Sequence, residues 1–212
     1  RPHPDTAYTI LMQLAENLKF ENNIQHPDVV DAMLRQPSSS ETLPFGKFLL
    51  QADQTSIIPA TDYDLGRNGS AYYDHSASNT TGSPGGLQWN EGRTYRNDGV
   101  DIQTSQDTSP LANGFQVSWT ETGEWMQYTF TVADTDHYQL SLRYAARAGS
   151  AIGWELDGTP LMNSLPLAAT GGEQIWQTVP LGTFVLPTGT HQLKLKIVEG
   201  GMHLGYLQWQ AQ

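Results

Sequence analysis

Alternating apolar and polar positions run through most of the chain after residue 43. Alternation of this kind is typical of strands with one buried face. The residues on the mainly apolar side of these runs are Phe115, Val117 and Trp119, then Tyr128 and Phe130, then Tyr138, Leu140, Leu142 and Tyr144, then Ile152, Trp154 and Leu156, then His191, Leu193, Leu195 and Ile197. Turn-forming sequences such as Asp157-Gly158 and Pro187-Thr188-Gly189 separate the runs. We therefore predict about nine or ten short antiparallel strands in an all-β fold, a β-sandwich of the jelly-roll type.

The beginning of the chain has a different period. Residues 7–18 place Leu11 (or its neighbour Ile10), Leu14 and Leu18 on one face of a helix, and Asp5 is the expected N-cap. A second short helix is predicted over residues 27–35, with a proline in its first turn. The sandwich is therefore expected to follow a short N-terminal α-helical segment.

This change of pattern divides the chain into a helical segment, residues 1–41, and a β-sandwich module, residues 42–212. Residues 36–40 read as a linker. Two short helices cannot bury their apolar faces by themselves. We expect the helical segment to be the end of a larger hydrolase or a spacer from it, with packing on the sandwich as the alternative.

Composition and charge exclude several classes of partner. The chain has 22 acidic residues against 11 Lys and Arg, a formal net charge of −11. Nucleic acids and anionic membrane surfaces require clustered cations, so neither partner is expected. The chain has no cysteine, which excludes disulfides and thiolate metal sites. A neutral polysaccharide is compatible with this charge.

Catalytic patterns are scarce. Glu121 and Glu124 lie three residues apart, and Asp134 and Asp136 lie two apart. Paired carboxylates can hydrolyse glycosidic bonds when they face each other across a cleft, but both of these pairs lie in tight turns. Since the histidines show no metal-binding spacing and no serine lies in a nucleophile elbow, we predict no catalytic residue and no enzymatic activity.

Aromatic residues are more promising as functional groups, because an exposed ring can bind a ligand by stacking on the flat C–H face of a sugar. Three rings lie within predicted strands and are expected in the core: Trp119, Trp125 and Trp154. Three others lie in loops or at strand starts and are better ligand candidates: Trp89, Tyr95 and Trp176.

Several short segments follow one another in a characteristic order: Ile58-Pro59-Ala60-Thr61-Asp62-Tyr63-Asp64, Ala71-Tyr72-Tyr73-Asp74, Tyr95-Arg96-Asn97-Asp98-Gly99-Val100-Asp101-Ile102, Gly123-Glu124-Trp125-Met126-Gln127-Tyr128-Thr129, Leu156-Asp157-Gly158, Trp176-Gln177-Thr178-Val179 and Thr188-Gly189-Thr190-His191-Gln192-Leu193. Their order and spacing, over about 150 residues, resemble the family 6 carbohydrate-binding modules. The resemblance implies a non-catalytic jelly roll, secreted and extracellular, that binds polysaccharide and is attached to a glycoside hydrolase.

The resemblance also implies a site in the loops at one end of the sandwich, where two rings clamp a sugar and an Asn binds it. By this likeness Tyr95 is the first ring and Trp176 the second, with Trp89 as an accessory ring. His203 stands at the Asn position, and Glu173 follows the Gly-Gly pair where many relatives have Trp. We expect His203 and Glu173 to contact sugar hydroxyls.

Relatives often hold a structural calcium ion with carboxylates at positions that here read Pro59, Thr61 and Gly205. Calcium prefers several oxygen ligands, anionic ones above all. We therefore expect no cofactor and no metal at this place.

The sequence thus predicts binding of a β-glucan, a xylan or an agar-type galactan, which holds an attached hydrolase near its substrate. Two alternatives remain open. One is a jelly-roll glycoside hydrolase that uses Glu121 or Glu124. The other is a structural module that packs on a catalytic domain and binds no glycan.

Overall fold

The computed structural model describes residues 3–22, 27–75, 94–96 and 98–212. Its helices are α1 (Pro4–Asn17) and α2 (Pro27–Leu34), with a short 3-10 helix (Phe20–Asn22) between them. Its strands are β1 (Leu49–Leu50), β2 (Thr55–Pro59), β3 (Tyr72–Tyr73), β4 (Ile102–Thr104), β5 (Phe115–Val117), β6 (Trp125–Val132), β7 (Asp136–Ala146), β8 (Ser150–Leu156), β9 (Thr159–Leu167), β10 (Gly172–Leu186), β11 (Gly189–Glu199) and β12 (Met202–Ala211). The described residues thus form two or three more strands than expected, because β3 and β4, of two and three residues, are too short to show alternation.

The strands form two six-stranded sheets, as expected for a jelly-roll sandwich. The first has the order β1-β6-β11-β8-β9, with β3 also paired to β6, and the second has the order β10-β7-β12-β5-β4, with β2 on β12. Neighbours are antiparallel as predicted, except that β1 runs parallel to β6. The connection from β10 to β11 crosses from one sheet to the other at the predicted Pro187-Thr188-Gly189 turn.

The core lies between the sheets and consists of the alternating positions of the long strands. On β7 the even-numbered residues from Tyr138 to Ala146 are buried, and on β11 the odd-numbered residues from His191 to Ile197 are buried. Trp154 is 2% exposed, as expected for a core ring. Trp209 packs against Phe130 with ring centroids 5.2 Å apart, which joins β12 of one sheet to β6 of the other.

Two predicted helices are present, but α1 begins differently from the expectation. Asp5 was predicted to be its N-cap, and this was wrong: His3 is the N-cap, and its Nδ1 accepts a 3.4 Å hydrogen bond from the Asp5 backbone N–H. Pro4 favours this start because it has no N–H and fits the first helical position. No residue of α1 is buried.

The segment that follows α2 is attached to the sandwich. Arg35 forms an ion pair with Asp31 one turn earlier and donates a 3.1 Å hydrogen bond to the carbonyl of Leu65. Leu43 and Leu65 exchange two backbone hydrogen bonds of 3.0 and 2.7 Å. Residues 35–50 therefore run along the sandwich before β1 joins the first sheet.

Candidate functional site

Three loops meet at one end of the sandwich: residues 118–124, residues 168–171 and residues 200–201. The first residues of β10 and β12 both pair with Ala146, the last residue of β7, so the loops that precede them are neighbours. Thr120 connects to the third loop, since its carbonyl accepts the Gly201 N–H at 2.8 Å and its hydroxyl donates to the carbonyl of Met202 at 2.7 Å. We call these three loops the loop end.

Trp119 is the most exposed aromatic side chain at the loop end. Its exposed fraction is 46%, and its φ is +49°. A left-handed conformation is rare for a bulky residue, and it persists only when the surrounding structure enforces it. Its neighbours enforce it here, because Ser118 and Thr120 are both hydrogen-bonded to β12. The expectation that Trp119 is a core residue was therefore wrong.

His203 lies beside Trp119, at the start of β12. Its Nδ1 is 2.9 Å from the Ser118 hydroxyl and 2.9 Å from Nε2 of Gln116, which is a donor. Burial lowers the pKa of His203, and the nearby Glu173 carboxylate only partly offsets this effect. The imidazole is therefore neutral near pH 7 with its proton on Nε2, and among the described residues this N–H has no acceptor.

Glu173 lies at the rim of the loop end. It follows Gly172, the first residue of β10, and its carboxylate forms an exposed ion pair of 3.3 Å with Arg147. An exposed pair of this kind contributes little stability and its oxygens stay accessible. The structure thus brings together Glu173 and His203, two of the five predicted ligand residues.

Tyr95 lies elsewhere. Its ring is 39% exposed and packs against Phe115 at a centroid distance of 4.6 Å, and its φ is +66°. Burial and a hydrogen bond to Asp62 raise the pKa of its hydroxyl to about 12, so the hydroxyl stays protonated and donates to Asp62 at 2.7 Å. These contacts account for the position of Tyr95 by packing alone, and its role as a stacking ring stays a prediction.

Trp176 lies on the outer face of the second sheet. Its Cζ3 is 3.1 Å from the position that a Cβ on Gly205 would take, and its Nε1 is fully buried. Because the Trp176 ring packs against Gly205, less of its surface is available to a ligand than if the residue lay in an open loop. Its role as the second ring also stays a prediction, and Trp89, the accessory ring, lies outside the described residues.

The carboxylate pair considered for catalysis forms a turn. One oxygen of Glu124 accepts the backbone N–H of Glu121 at 2.7 Å, and the other accepts the backbone N–H of His75 at 3.3 Å. Burial raises the pKa of Glu124, and these hydrogen bonds oppose the rise. Both carboxylate oxygens of Glu124 therefore accept hydrogen bonds from backbone N–H groups.

The outer face of the first sheet carries another ring, Trp125, so the expectation that Trp125 is a core residue was also wrong. The Lys194 ammonium lies 4.2 Å from the centre of this ring, and Glu155 holds Lys194 at 3.4 Å. A cation over the ring occupies the surface on which a sugar would stack. Trp119 is therefore the better platform.

An apolar pocket of about 430 Å³ lies between residues 44–49 and the outer face of β6 and β11. Its lining includes Pro44, Phe48 and Thr131. None of the four predicted ligand residues that the structure describes borders it.

Sequence reasoning missed Trp119, because its run of alternating residues assigned it to a strand. The sequence did contain a signal, because the turn-forming Thr122-Gly123 follows Trp119 within four residues. In the structure β5 ends before Trp119, at Val117. Only the φ angle and the contacts of Thr120 place the ring outside the core.

Comparisons with known proteins agree with this architecture. The model of the family 35 carbohydrate-binding modules matches residues 96–209, more than half of the chain. A comparison with curated protein sequences returned no match. Among the described residues, no helix is long and apolar enough to cross a membrane.

Solved structures of similar fold include other carbohydrate-binding modules. A family 6 module of Clostridium stercorarium, solved with cellobiose, matches at 14% identity with a TM-score of 0.50, over 79% of this chain and 98% of that one. A family 6 module of Cellvibrio mixtus lichenase 5A, solved with cellotriose, matches at 27% identity and a TM-score of 0.46, over 54% of this chain and 88% of that one. The C-terminal family 6 module of a marine laminarinase from Zobellia galactanivorans matches at 25% identity and a TM-score of 0.46, over 52% and 87%. The chain therefore belongs to the family 35 carbohydrate-binding modules, which are closely related to the family 6 modules that its sequence resembles.

Proposed function

We propose that this module binds a polysaccharide at the loop end, with Trp119 as the stacking platform. The observation that carries the proposal is an exposed tryptophan held at a positive φ by hydrogen bonds on both sides of it. Backbone strain of this kind is found where a side chain must be presented to a ligand. The Trp119 ring does not contribute to the hydrophobic core.

The groups around the ring match the chemistry of a sugar. The Nε2–H of His203, which has no acceptor among the described residues, is a neutral donor for a hydroxyl or ring oxygen, and the Glu173 carboxylate accepts from hydroxyls. Tyr95, Trp176 and Trp89 remain secondary candidates for the same ligand.

The charge of the loop end favours a neutral glycan. Glu121, Glu124, Glu173 and Glu199 lie in or beside the three loops, which contain no Lys or Arg, and Arg147, in the neighbouring β7–β8 loop, is paired with Glu173. β-Glucan, xylan and agar-type galactan are the candidates, and the cellobiose and cellotriose bound to related modules favour a β-glucan.

We infer that the module targets an attached glycoside hydrolase to its substrate outside the cell. A single site on a flat ring binds weakly, with a dissociation constant on the order of micromolar to millimolar. Tethering nevertheless raises the effective concentration of the enzyme at the polysaccharide.

The test is affinity electrophoresis of the wild-type chain in gels that contain laminarin, cellulose derivatives, xylan or agarose. Replacing Trp119 with Ala should weaken binding at least about tenfold, as expected for loss of a central tryptophan. The matched control is Leu161→Ala, which removes a similarly exposed apolar side chain (42%) on β9.

Two outcomes would contradict the proposal. One is wild-type affinity in the Trp119→Ala variant, which would move the site away from the loop end. The other is the absence of retardation by every glycan in the panel, which would favour the structural module without a ligand.

A further inference from the structure

The three positions at which relatives carry calcium ligands come together in this structure. Pro59 pairs with Tyr206, the residue after Gly205, and the carbonyl of Gly205 accepts the Ala60 N–H at 2.9 Å. Thr61 follows directly. The chain thus retains the geometry of this junction between β2 and β12, although none of the three positions carries a carboxylate.

The residues at this junction do not fit calcium. A Cβ on Gly205 would lie 3.1 Å from Cγ of Arg143 and 3.1 Å from Cζ3 of Trp176, so a carboxylate side chain there would require both neighbours to shift. The Thr61 hydroxyl already accepts from the Asn113 amide at 3.1 Å. Pro59 offers no side-chain oxygen, and no group of three His, Asp or Glu suited to a metal occurs among the residues that the structure describes.

The side chain of Arg143 passes beside Gly205, with its Cγ in contact, and carries a cation to the loop that follows β4. The guanidinium of Arg143 forms two parallel hydrogen bonds to Asp107, of 2.9 Å from Nε and 2.8 Å from the terminal nitrogen. The Asp107 side chain is 1% exposed and that of Arg143 is 19% exposed. A bidentate pair of this kind is strong and fixes its geometry, and the arginine lowers the pKa of Asp107.

The ion pair fastens a loop across the outer face of the second sheet. Besides Asp107, this loop (residues 105–113) is held by the Ser109 hydroxyl, 3.1 Å from that of Tyr206, and by the bond from Asn113 to Thr61. The loop is thus attached to β12 through Tyr206 and to the segment that directly follows β2 through Thr61.

We propose that the guanidinium of Arg143 replaces the structural calcium ion of related modules. With Asp107 it ties loop 105–113 to the junction of β2 and β12, and this chain folds without calcium. The inference concerns the scaffold and does not depend on glycan binding.

The first test is thermal unfolding of the full chain in millimolar calcium and in excess chelator. The melting temperatures should agree within about 1 °C, because no bound ion adds to stability. A calcium-dependent rise of several degrees, reversed by chelator, would overturn the proposal.

The second test removes the cation. Arg143→Ala should lower the melting temperature by about 5–10 °C, because it leaves Asp107 buried without its partner. Arg143→Lys should recover only part of the loss, since lysine cannot form the bidentate pair. Adding Asp107→Asn to Arg143→Ala should restore part of the stability, because the amide carries no charge. Arg147→Ala is the matched control, and its exposed ion pair should matter little.

The third test restores the metal. Pro59→Glu and Thr61→Glu together should make the melting temperature rise with calcium in an Arg143→Ala background and not in the presence of Arg143. Equal calcium responses in both backgrounds would show that Arg143 does not occupy the role of the ion. If the restored variant does not fold, a melting temperature unchanged by Arg143→Ala in the otherwise native chain overturns the proposal equally well.

Discussion

Among the described residues, two aromatic side chains belong to residues with a positive φ, and their environments differ. Trp119 is held at the loop end with nearly half of its side chain exposed, whereas Tyr95 bonds to a buried carboxylate and packs on Phe115. Strain of about 1–2 kcal/mol at each residue must be offset by its contacts. For Tyr95 these contacts are made by its own hydroxyl and ring, whereas for Trp119 they are the hydrogen bonds of its neighbours Ser118 and Thr120.

Replacing Tyr95 with Phe tests this distinction. The variant keeps the ring but leaves the buried Asp62 without the hydrogen bond from the hydroxyl, so the free energy of unfolding should fall by about 1–3 kcal/mol. Glycan affinity should stay within about twofold of the wild type, because the hydroxyl faces Asp62. Urea denaturation and affinity electrophoresis measure the two effects. A large loss of affinity with unchanged stability would instead place Tyr95 in the binding site.

At the scale of elements, a histidine joins two turns at the end of the sandwich away from the loop end. Nδ1 of His191 on β11 is 2.7 Å from the Asp157 carboxylate in the β8–β9 turn, and Nε2 is 2.8 Å from the Pro187 carbonyl in the β10–β11 turn. Both partners are acceptors, so only the protonated imidazolium can donate to both.

This arrangement predicts a pH-dependent stability. Burial alone would lower the pKa of His191, but the bonds to Asp157 and Pro187 outweigh it and raise the pKa above its ordinary value. Stability from this residue is therefore fully present below the unfolded pKa of about 6.5 and is lost as the pH rises through the folded pKa. Urea unfolding between pH 5 and 9 measures the loss.

His191→Phe should remove that pH dependence and cost about 1.5–3 kcal/mol at pH 5.5, where the charged hydrogen bonds are complete. His137→Gln is the control, because His137 is well exposed on β7. A variant that retains the wild-type slope above pH 6.5 would assign the titration to another group.

At the scale of the whole molecule, the division at residue 41 stays a prediction, and contacts cross it. The predicted division at residue 41 separates Arg35 from Leu65, to whose carbonyl it donates a hydrogen bond. α1, by contrast, has no buried residue and six exposed large apolar side chains in and just after it: Tyr8, Ile10, Leu11, Met12, Leu14 and Leu18.

Two truncations test where the module begins. Removing residues 1–26 should leave the melting temperature within about 1–2 °C, because the side chains that the structure describes in this segment are all exposed. Removing residues 1–48 should lower it by at least about 5 °C, because the Leu43–Leu65 pairing and the contact of Phe45 with Arg96 disappear. Differential scanning calorimetry gives both values. Equal melting temperatures would mean that residues 35–48 are as dispensable as α1.

Local pattern was enough for the fold class. Alternation along β7 and β11 marked the buried positions, and Asp157-Gly158 marked its hairpin, because these signals depend only on neighbours in the chain. The resemblance to carbohydrate-binding modules was confirmed by the family model, and it was carried by the order of several short motifs.

Tertiary structure decided which aromatic rings are exposed. Trp119 and Trp154 both belong to alternating runs, yet one is 46% exposed and the other 2%. The difference arises from partners distant in sequence, since Ser118 and Thr120 bind residues of β12 more than 80 positions later. The Arg143–Asp107 pair likewise depends on a loop folding across a sheet. Sequence alone thus determined the sandwich and its family, whereas the site and the Arg143–Asp107 pair follow from long-range contacts that no local period encodes.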